Sequence, residues 1–522
     1  MAPPGEIVQL STLAAALRDT RSDDYRDARF SKVDYMFWKP EGRLNRVGAA
    51  ALDAFAELAA CQPDQSVAVA AVLDHGGHIE IYIAGDTEEV PPSVVRHLGN
   101  ICARILSIRT AVEASSNPTA ILEMIRENPH VSEGSLEPAL DALRILELDL
   151  YRYSIGRVRA HATADPQLRW IDGLSFLIAR LKCPPAAALD DLSDGERAAL
   201  KLLQRSARVQ RYLSKLDEAI IRLQGLLAAE PATDLNDVRL REISLALALD
   251  LHPLEKDMPY FDQFISAHIT RKTGTAPHTP LSTHAWLKKV CCVAIAFRGL
   301  TGILVTPALS AMFGARVHIH PIVNTPPKRP YDVAPTADDI KVTIATHGMV
   351  KYTASTFIPG RPELFNDLAA ELAAAAAKRG ASVVFGHATH IHCECALLCY
   401  LWAYGQTMLP YVGLSKAPCI FCAIYFMAYR DIRGIETSMR ATEGQIAAAA
   451  WMCPDFPDLP EDAAAFRSQL RERLRQYIQK RLLDEHFRRQ KISGATYAST
   501  APLTSSNKPD QDRRYALDRF VT

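Results

Sequence analysis

The sequence predicts an α/β protein that carries a large all-helical insertion or domain. Residues 66–86 form two β-rich runs around Asp74–Gly77, which is a hairpin pattern. From about 117 to 300, apolar residues recur at helical spacing, and after residue 315 strand-like and helix-like segments alternate again. Because 522 residues exceed what one hydrophobic core supports, we expect two to four domains.

The N-terminal part is predicted to begin with a disordered arm at 1–30, followed at 31–110 by a helix plus a β-hairpin. The helix spans 48–61, the hairpin spans 66–86, and a further helix runs from a proline turn to about residue 108.

The middle region, 111–310, is predicted to be helical. Its clearest apolar repeats lie at 136–153, 196–228 and 238–251, and polar joints with prolines separate them. No fixed-period repeat is present, so a solenoid is not supported.

The C-terminal part is predicted to hold a catalytic core at 311–460, a basic helix at 461–493 and a disordered tail at 494–522. Within this catalytic core we predict strands at 315–322, 340–346 and 382–385 and an Ala-rich helix at 364–378. Residues 466–491 contain nine Lys or Arg and three Asp or Glu. Such a basic helix could contact phosphate groups, but this pattern is more often a solvent-exposed helix face.

Composition argues for an intracellular protein, cytoplasmic or nuclear. Lys plus Arg equals Asp plus Glu at 59 each, so there is no global electrostatic footprint for nucleic acid. The eleven cysteines lack the regular spacing of a disulfide-bonded protein, which indicates a reducing cellular compartment. Two uncharged runs, 299–315 and 395–415, are interrupted by proline or glycine, so we predict buried core and no membrane contact.

The stretch 390–422 contains five cysteines and two histidines, and three of these residues have the types and spacing of a zinc site. Cys419 and Cys422 are three apart, which puts them on one face if a helix begins there, with Pro418 in its first turn. A helix N-terminus favours the thiolates that Zn2+ requires. His392 would supply a third ligand and leave the fourth tetrahedral position for water, as in catalytic zinc sites.

Glu394, two residues after His392, is the candidate catalytic residue. Zinc lowers the pKa of a bound water towards about 7, and a nearby carboxylate can then move its proton to a ring nitrogen and a departing amine. His392-x-Glu394 followed by Pro418-Cys419-x-x-Cys422 is the signature of zinc nucleobase deaminases.

Other cysteines and histidines favour structural roles. Cys393, Cys395 and Cys399 fit inert packing. His387 and His390 fit exposed or hydrogen-bonded histidines better than ligands. A second H-x-E, at 78–80, lies in the predicted hairpin with no C-x-x-C pair at suitable distance. A purely structural zinc site would want a fourth Cys or His and gives no reason for a glutamate.

These motifs resemble the cytidine deaminase-like superfamily, and the string from 390 to 426 is similar to the OTT-type deaminase-like branch found widely in fungi. The resemblance covers about 385–430, fades through 434–454 and does not reach the helical middle. It implies an α/β/α sandwich with a mixed five-stranded sheet, zinc on His392, Cys419 and Cys422, and Glu394 as proton shuttle.

Which residues complete the catalytic sheet is open at this stage. In one hypothesis 48–86 completes it and the helical region is an insertion. In the other, the strands at 315–322 and 340–346 serve instead and 31–110 is a separate module. The tight turn at Gly76–Gly77 favours the first.

Three functions fit the motif. The first is a deaminase of cytosine, or less favoured adenine, in a nucleotide or single-stranded nucleic acid. Candidate pocket residues near the motif are Ser415, Ala417, Pro418, Tyr411 and Trp402. Tyr411, Trp402, Tyr400 and Tyr404 are aromatic and could stack on a base. For each of them, packing in the hydrophobic core is the alternative role. The other functions are a free nucleoside deaminase and an inactive zinc-stabilised scaffold that binds proteins through its helical region.

Overall fold

The computed structural model describes fourteen parts of the chain. These are residues 43–60, 62, 65–131, 137–163, 167–183, 191–228, 235–254, 256–274, 283–313, 317–324, 391–406, 408–434, 437–440 and 464–474. They fall into two compact units. We call them the sheet unit, with the described residues of 43–45, 66–91 and 319–474, and the helical unit, with the described residues of 46–65 and 92–318.

Helices make up most of the described chain. In chain order they are α1 Arg43–Ala59, α2 Pro92–Glu113, α3 Pro118–Glu127, α4 Pro138–Thr163, α5 Gln167–Lys182, α6 Asp194–Arg205, α7 Ala207–Ala228, α8 Leu235–Leu251, α9 Met258–Thr273, α10 Thr283–Val290, α11 Cys292–Val305, α12 Pro307–Met312, α13 Cys393–Ala403, α14 Ile420–Arg433 and α15 at 464–474. The strands are β1 Val67–Leu73, β2 Ile79–Gly85, β3 His318–Pro321, β4 Met408–Leu414 and β5 Ser438–Met439.

The strands form one mixed five-stranded sheet in the order β3-β2-β1-β4-β5. β1 pairs antiparallel with β2 and with β4, whereas β4 pairs parallel with β5. In β1 six of seven residues are buried, as expected for a central strand covered on both faces. The β1–β2 hairpin and the strand that precedes the cysteine pair therefore belong to the same sheet.

The core of the sheet unit joins β1, β2 and β4 to α13, α14 and α15. Trp402 of α13 packs edge-on against Tyr429 of α14 and Phe466 of α15, with ring centroids 5.3 and 5.4 Å apart. Phe466, Leu470 and Leu474 of α15 are fully buried in this core. The described start of the predicted basic helix is therefore amphipathic, and its apolar face is buried.

In the helical unit, the apolar repeats predicted from the sequence form helices that bury one face. The repeat at 196–228 forms two helices, α6 and α7, which separate at Ser206. That residue adopts extended backbone angles, and its hydroxyl accepts a hydrogen bond from Val209 N at 3.4 Å, so it caps the start of α7. The spacing of apolar residues continues across Ser206, so the sequence pattern did not predict that the helix is interrupted there.

The two uncharged runs do not form long helices. The first is divided at Thr306, before Pro307, between α11 and α12, and the second is divided between α13 and β4. Within the part of the chain that the structure describes, every helix is too short or too polar to span a membrane.

Several predicted segments lie outside the described residues: the arm at 1–30, the strands at 340–346 and 382–385, the helix at 364–378, the tail at 494–522 and the basic helix beyond 474. The strand predicted at 315–322 corresponds to β3, at the edge of the sheet. Of the predicted 48–86 module, the hairpin lies in the sheet unit and α1, from residue 46 on, in the helical unit. The assignment of domains to residue ranges stays a prediction.

Candidate metal centre

Three side chains converge where α13 and α14 begin. His392 is the N-cap of α13, Cys419 is the N-cap of α14, and Cys422 lies in the first turn of α14. The His392 Nδ1 atom lies 3.2 Å from Cys422 Sγ and 3.6 Å from Cys419 Sγ, and the two sulfurs are 3.3 Å apart. Both cysteines are buried.

Local sequence explains why the two cysteines face one point. β4 leads through Ser415–Pro418 into α14, and residues three apart at a helix start project from the same face. The helix begins at Ile420, so Pro418 precedes the N-cap and does not occupy the first turn as the sequence had suggested. Gly434 ends α14 with a positive φ of 62°, where a residue without Cβ is favoured.

The three side chains shift one another's pKa values. Burial alone would lower the pKa of His392, but its hydrogen bond to Cys419 and the negative charges of Cys419, Glu394 and Asp86 raise that pKa to about 9. Burial opposes ionisation of Cys419, yet hydrogen bonds from Cys422 and His392 lower its pKa to about 5. Burial raises the pKa of Cys422 well above the usual thiol value. The imidazole therefore favours ionisation of a neighbouring thiol, and the thiolate is the form of cysteine that binds a metal cation.

The donor spacing fits a tetrahedral zinc ion. Zn–S and Zn–N bonds of about 2.3 and 2.0–2.1 Å imply sulfur–sulfur separations of about 3.8 Å and nitrogen–sulfur separations of about 3.6 Å. The separations found here, 3.2 to 3.6 Å, are close to these. Among the described residues this trio is the one group of His, Cys, Asp or Glu side chains with the spacing of a metal site.

Glu394 lies beside the trio but outside it. Its side chain is in the first turn of α13 and is 6% exposed. Cys393 Sγ donates to its Oε2 at 3.3 Å, and this is the one hydrogen bond of the carboxylate within the described chain. The carboxylate is not in the three-residue ligand cluster. The buried carboxylate is thus close enough for its charge to act on His392 and Cys419.

The additional cysteines do not complete a four-ligand site. Cys393, Cys395 and Cys399 lie buried on α13 and form no disulfide among the described residues. Cys395 hydrogen-bonds to Cys422, but it is not part of the cluster in which all ligand atoms lie within 4.8 Å of one another. His387 and His390 lie outside the described residues. In the H-x-E at 78–80, His78 lies beside Asp74 in the hairpin turn, and Glu80 accepts from Tyr82.

The predicted pocket residues have mixed surroundings. Ser415 extends the pairing of β1 and β4, since its Oγ accepts from Val67 N at 2.9 Å. Pro418 and Tyr411 are buried, and Ala417 is half-buried. Trp402 is 3% exposed in the core described above, which favours its packing role over base stacking.

The remaining aromatics, Tyr400 of α13 and Tyr404 at its C-cap, lie towards the other end of the helix from His392. Tyr400 and Tyr404 pack together with centroids 4.4 Å apart, and Tyr404 is 65% exposed. Helix α13 spans eleven residues, about 16 Å at 1.5 Å per residue, so these rings and the candidate metal ligands are at opposite ends.

Two residues near the trio were not singled out from the sequence. Asp86, after β2, is close enough for its charge to raise the pKa of His392 and of Cys393. Asn324, after β3, donates from its side chain to the carbonyl of Ile391, the residue before His392. Neither belongs to a local motif, and only the folded sheet brings 86, 324 and 392 together.

Comparison with known protein families supports the sequence resemblance over a limited region. Residues 391–455 match the model of the OTT_1508-like deaminase family, which is 65 of the 522 residues. The match includes His392, Glu394, Cys419 and Cys422. No curated protein and no solved structure matches the chain.

Proposed function

We propose that this protein is a zinc-dependent hydrolytic deaminase that acts on a nucleobase, cytosine before adenine, in a nucleotide or nucleic acid. The observation that carries the proposal is the cluster of His392, Cys419 and Cys422 donor atoms with the buried Glu394 carboxylate beside it. The deaminase-family match over the same residues agrees with it. We further propose that the mixed sheet and its helices form a cytidine deaminase-like α/β/α sandwich.

His392, Cys419 and Cys422 would hold the metal, and the three ligands would leave a fourth tetrahedral position open. When bound there, zinc would supply a Lewis acid that lowers the pKa of a bound water towards about 7. In the net reaction water replaces the exocyclic amino group, the ring carbon becomes a carbonyl, and ammonia leaves.

Glu394 would move the protons. Among the described residues the Cys393 thiol donates to Oε2, and Oε1 would carry two protons in turn: the first from water to the ring nitrogen, and the second from the added hydroxyl to the leaving amine. Burial suits this role, because a carboxylate shielded from solvent exchanges its proton with the substrate and not with bulk water.

The substrate proposal is supported less directly. Ser415, Ala417 and Tyr411 adjoin the cysteine pair in sequence and are proposed to line the pocket. The added helical unit argues mildly against a free nucleoside, since such substrates require only a compact domain. The nine described cysteines form no disulfide with one another, which agrees with the proposed reduced intracellular setting, cytoplasmic or nuclear.

The test compares the full chain with its Glu394→Gln variant. Cytidine, deoxycytidine, CMP, single-stranded DNA and single-stranded RNA are screened for base conversion and ammonia release. We expect the variant to retain one zinc per chain and to lose about 10²- to 10⁴-fold in rate, the usual contribution of a general acid–base group. Equal rates in the two proteins would contradict the proton-transfer role.

The size of the helical unit favours a second candidate, a zinc-stabilised scaffold that binds proteins through residues 46–65 and 92–318. A scaffold would bind zinc in both proteins and convert none of the five substrates. Zinc binding with substrate conversion in the parent alone would exclude it.

A further inference from the structure

We infer that Asn324 is a positioning residue for the metal centre: its side-chain amide holds the backbone in front of His392 against the end of β2. The inference rests on the proposed function, since it concerns the ligand His392. Asn324 is 1% exposed, and its Nδ2 donates to Gly85 O at 3.0 Å and to Ile391 O at 2.6 Å.

The chemistry of the side chain makes this contact specific. Both partners are carbonyl oxygens, which only accept hydrogen bonds, so the NH2 group of the amide must face them. Asparagine supplies two donors from one nitrogen. An aspartate of almost the same shape supplies none when ionised, and it would place a negative charge against two carbonyl dipoles.

The backbone of Asn324 is anchored independently of the side chain. Its N–H donates to Glu88 O at 2.8 Å, and two residues earlier Ile322 N donates to Ile83 O at 2.8 Å. The amide therefore extends from a segment already fixed along β2. The side-chain amide of Asn324 therefore joins its own segment to Gly85, at the end of β2, and to Ile391, the residue before His392.

His392 is held from both sides by this arrangement. On its C-terminal side, its carbonyl accepts from Cys395 N and Ala396 N at 3.0 Å each, which ties it to the start of α13. On its N-terminal side, the Asn324–Ile391 bond fixes the preceding peptide. The two cysteine ligands lie on α14, so the imidazole can meet them only if its own backbone is held in this place.

A further feature distinguishes Asn324 from an ordinary core residue. Its Oδ1 is buried with no donor among the described residues. An unpaired buried carbonyl oxygen opposes folding, so a position important only for packing would be served better by an apolar side chain. The two Nδ2 bonds give the reason for an amide here.

The experiment measures zinc affinity by competition with a chromophoric chelator, the absorption spectrum of the Co2+-loaded protein, and thermal unfolding of the metal-free protein, at pH 7.5. The variant is Asn324→Asp. The matched control is Ser438→Ala, which removes another buried side-chain bond to a backbone carbonyl in the same sheet, Ser438 Oγ to Pro410 O at 2.9 Å.

We expect Asn324→Asp to weaken zinc binding by about 10- to 100-fold, as loss of a residue that orients a ligand usually does, and to alter the cobalt ligand-field bands. Ser438→Ala should keep zinc affinity within about twofold even if its melting temperature falls equally. If Asn324→Asp does not fold, Asn324→Ser replaces it, which keeps one donor on a shorter side chain and should also weaken zinc binding beyond the control.

The outcomes separate the two proposals. A parent chain that binds no zinc overturns the proposed function and this inference with it. A parent that binds zinc, with an Asn324 variant that matches the affinity and cobalt spectrum of Ser438→Ala, overturns the positioning role alone.

Discussion

Buried carboxylates occur in both units, but their surroundings differ. In the helical unit Glu147 is fully buried, with His130 Nδ1 2.6 Å from one oxygen and Arg241 Nε 2.7 Å from the other. Arg241 also donates to Val131 O at 2.7 Å. Each oxygen of Glu147 therefore has a partner, and so has the neighbouring guanidinium.

Glu196, also in the helical unit, is paired in the same way. It closes a capping box with Ser193 at the start of α6 and accepts from Arg271, with His268 Nδ1 at 3.1 Å. In the sheet unit Glu394 is almost as buried but receives only the weak thiol donor of Cys393 among the described residues.

This difference separates two uses of a buried acid. Full pairing fixes a charge in one geometry and contributes to structure. Incomplete pairing leaves an oxygen available to a reactant, and such groups are typical of functional sites. The comparison predicts different consequences when either unit is altered.

The largest effect is expected at the candidate ligands. Cys419→Ser should reduce bound zinc from one per chain to background, since serine does not offer the thiolate that the site uses. Elemental analysis of the purified full chain measures this. Cys183→Ser, at an exposed cysteine of the helical unit, is the control and should keep its zinc. Zinc retained after Cys419→Ser would remove that residue from the ligand set.

The next effect compares the two acids directly. Glu147→Gln should destabilise the helical unit by about 3–5 kcal/mol, because it leaves Arg241 buried without its counter-charge. Glu394→Gln should cost less than about 1 kcal/mol, since it removes only one weak bond. Thermal unfolding followed by circular dichroism, with hydrogen exchange of α4 peptides to locate the change, measures both. Similar losses would mean that Glu394 is structural after all.

Short sequence motifs predicted the candidate metal ligands better than the residues that hold those ligands in place. Ligand types, their spacing and the helix start identified His392, Cys419 and Cys422, whose donor atoms the fold does bring together, although their role as ligands stays a prediction. The contribution of Asn324 depends on partners 239 and 67 residues away, which no local pattern encodes.

The fold shows the same limit. Period-two and period-3.6 patterns predicted the β1–β2 hairpin and the helical region. They could not show that Ser206 interrupts a continuous apolar repeat, because capping competes with helix continuation without changing hydrophobic spacing. Nor could they decide whether Trp402 meets a base or a core, since the answer depends on Tyr429 and Phe466 of other helices.

The smallest effect concerns acid sensitivity of the helical unit. Burial lowers the pKa of His97 to about 4, and its ring stacks on Tyr153 with centroids 3.4 Å apart. In the unfolded chain the histidine takes up its proton near pH 6.5, so between pH 6.5 and 4 the unfolded state binds more protons and stability falls as the pH falls. From pH 7 to 5.5 this one group should remove about 1 kcal/mol from the free energy of unfolding.

His97→Phe keeps an aromatic ring against Tyr153 and removes the titrating nitrogen, so its melting temperature should fall less between pH 7 and 5.5 than that of the parent. His75, in the hairpin turn, is exposed, so the control His75→Phe should retain the parental slope. Zinc loss on acidification would act on the sheet unit through the candidate ligands, and hydrogen exchange by peptide distinguishes it from the His97 effect in α2. Equal pH slopes in the parent and His97→Phe would show that His97 is not the acid-sensitive group, and the difference between the units would then depend on their carboxylates alone.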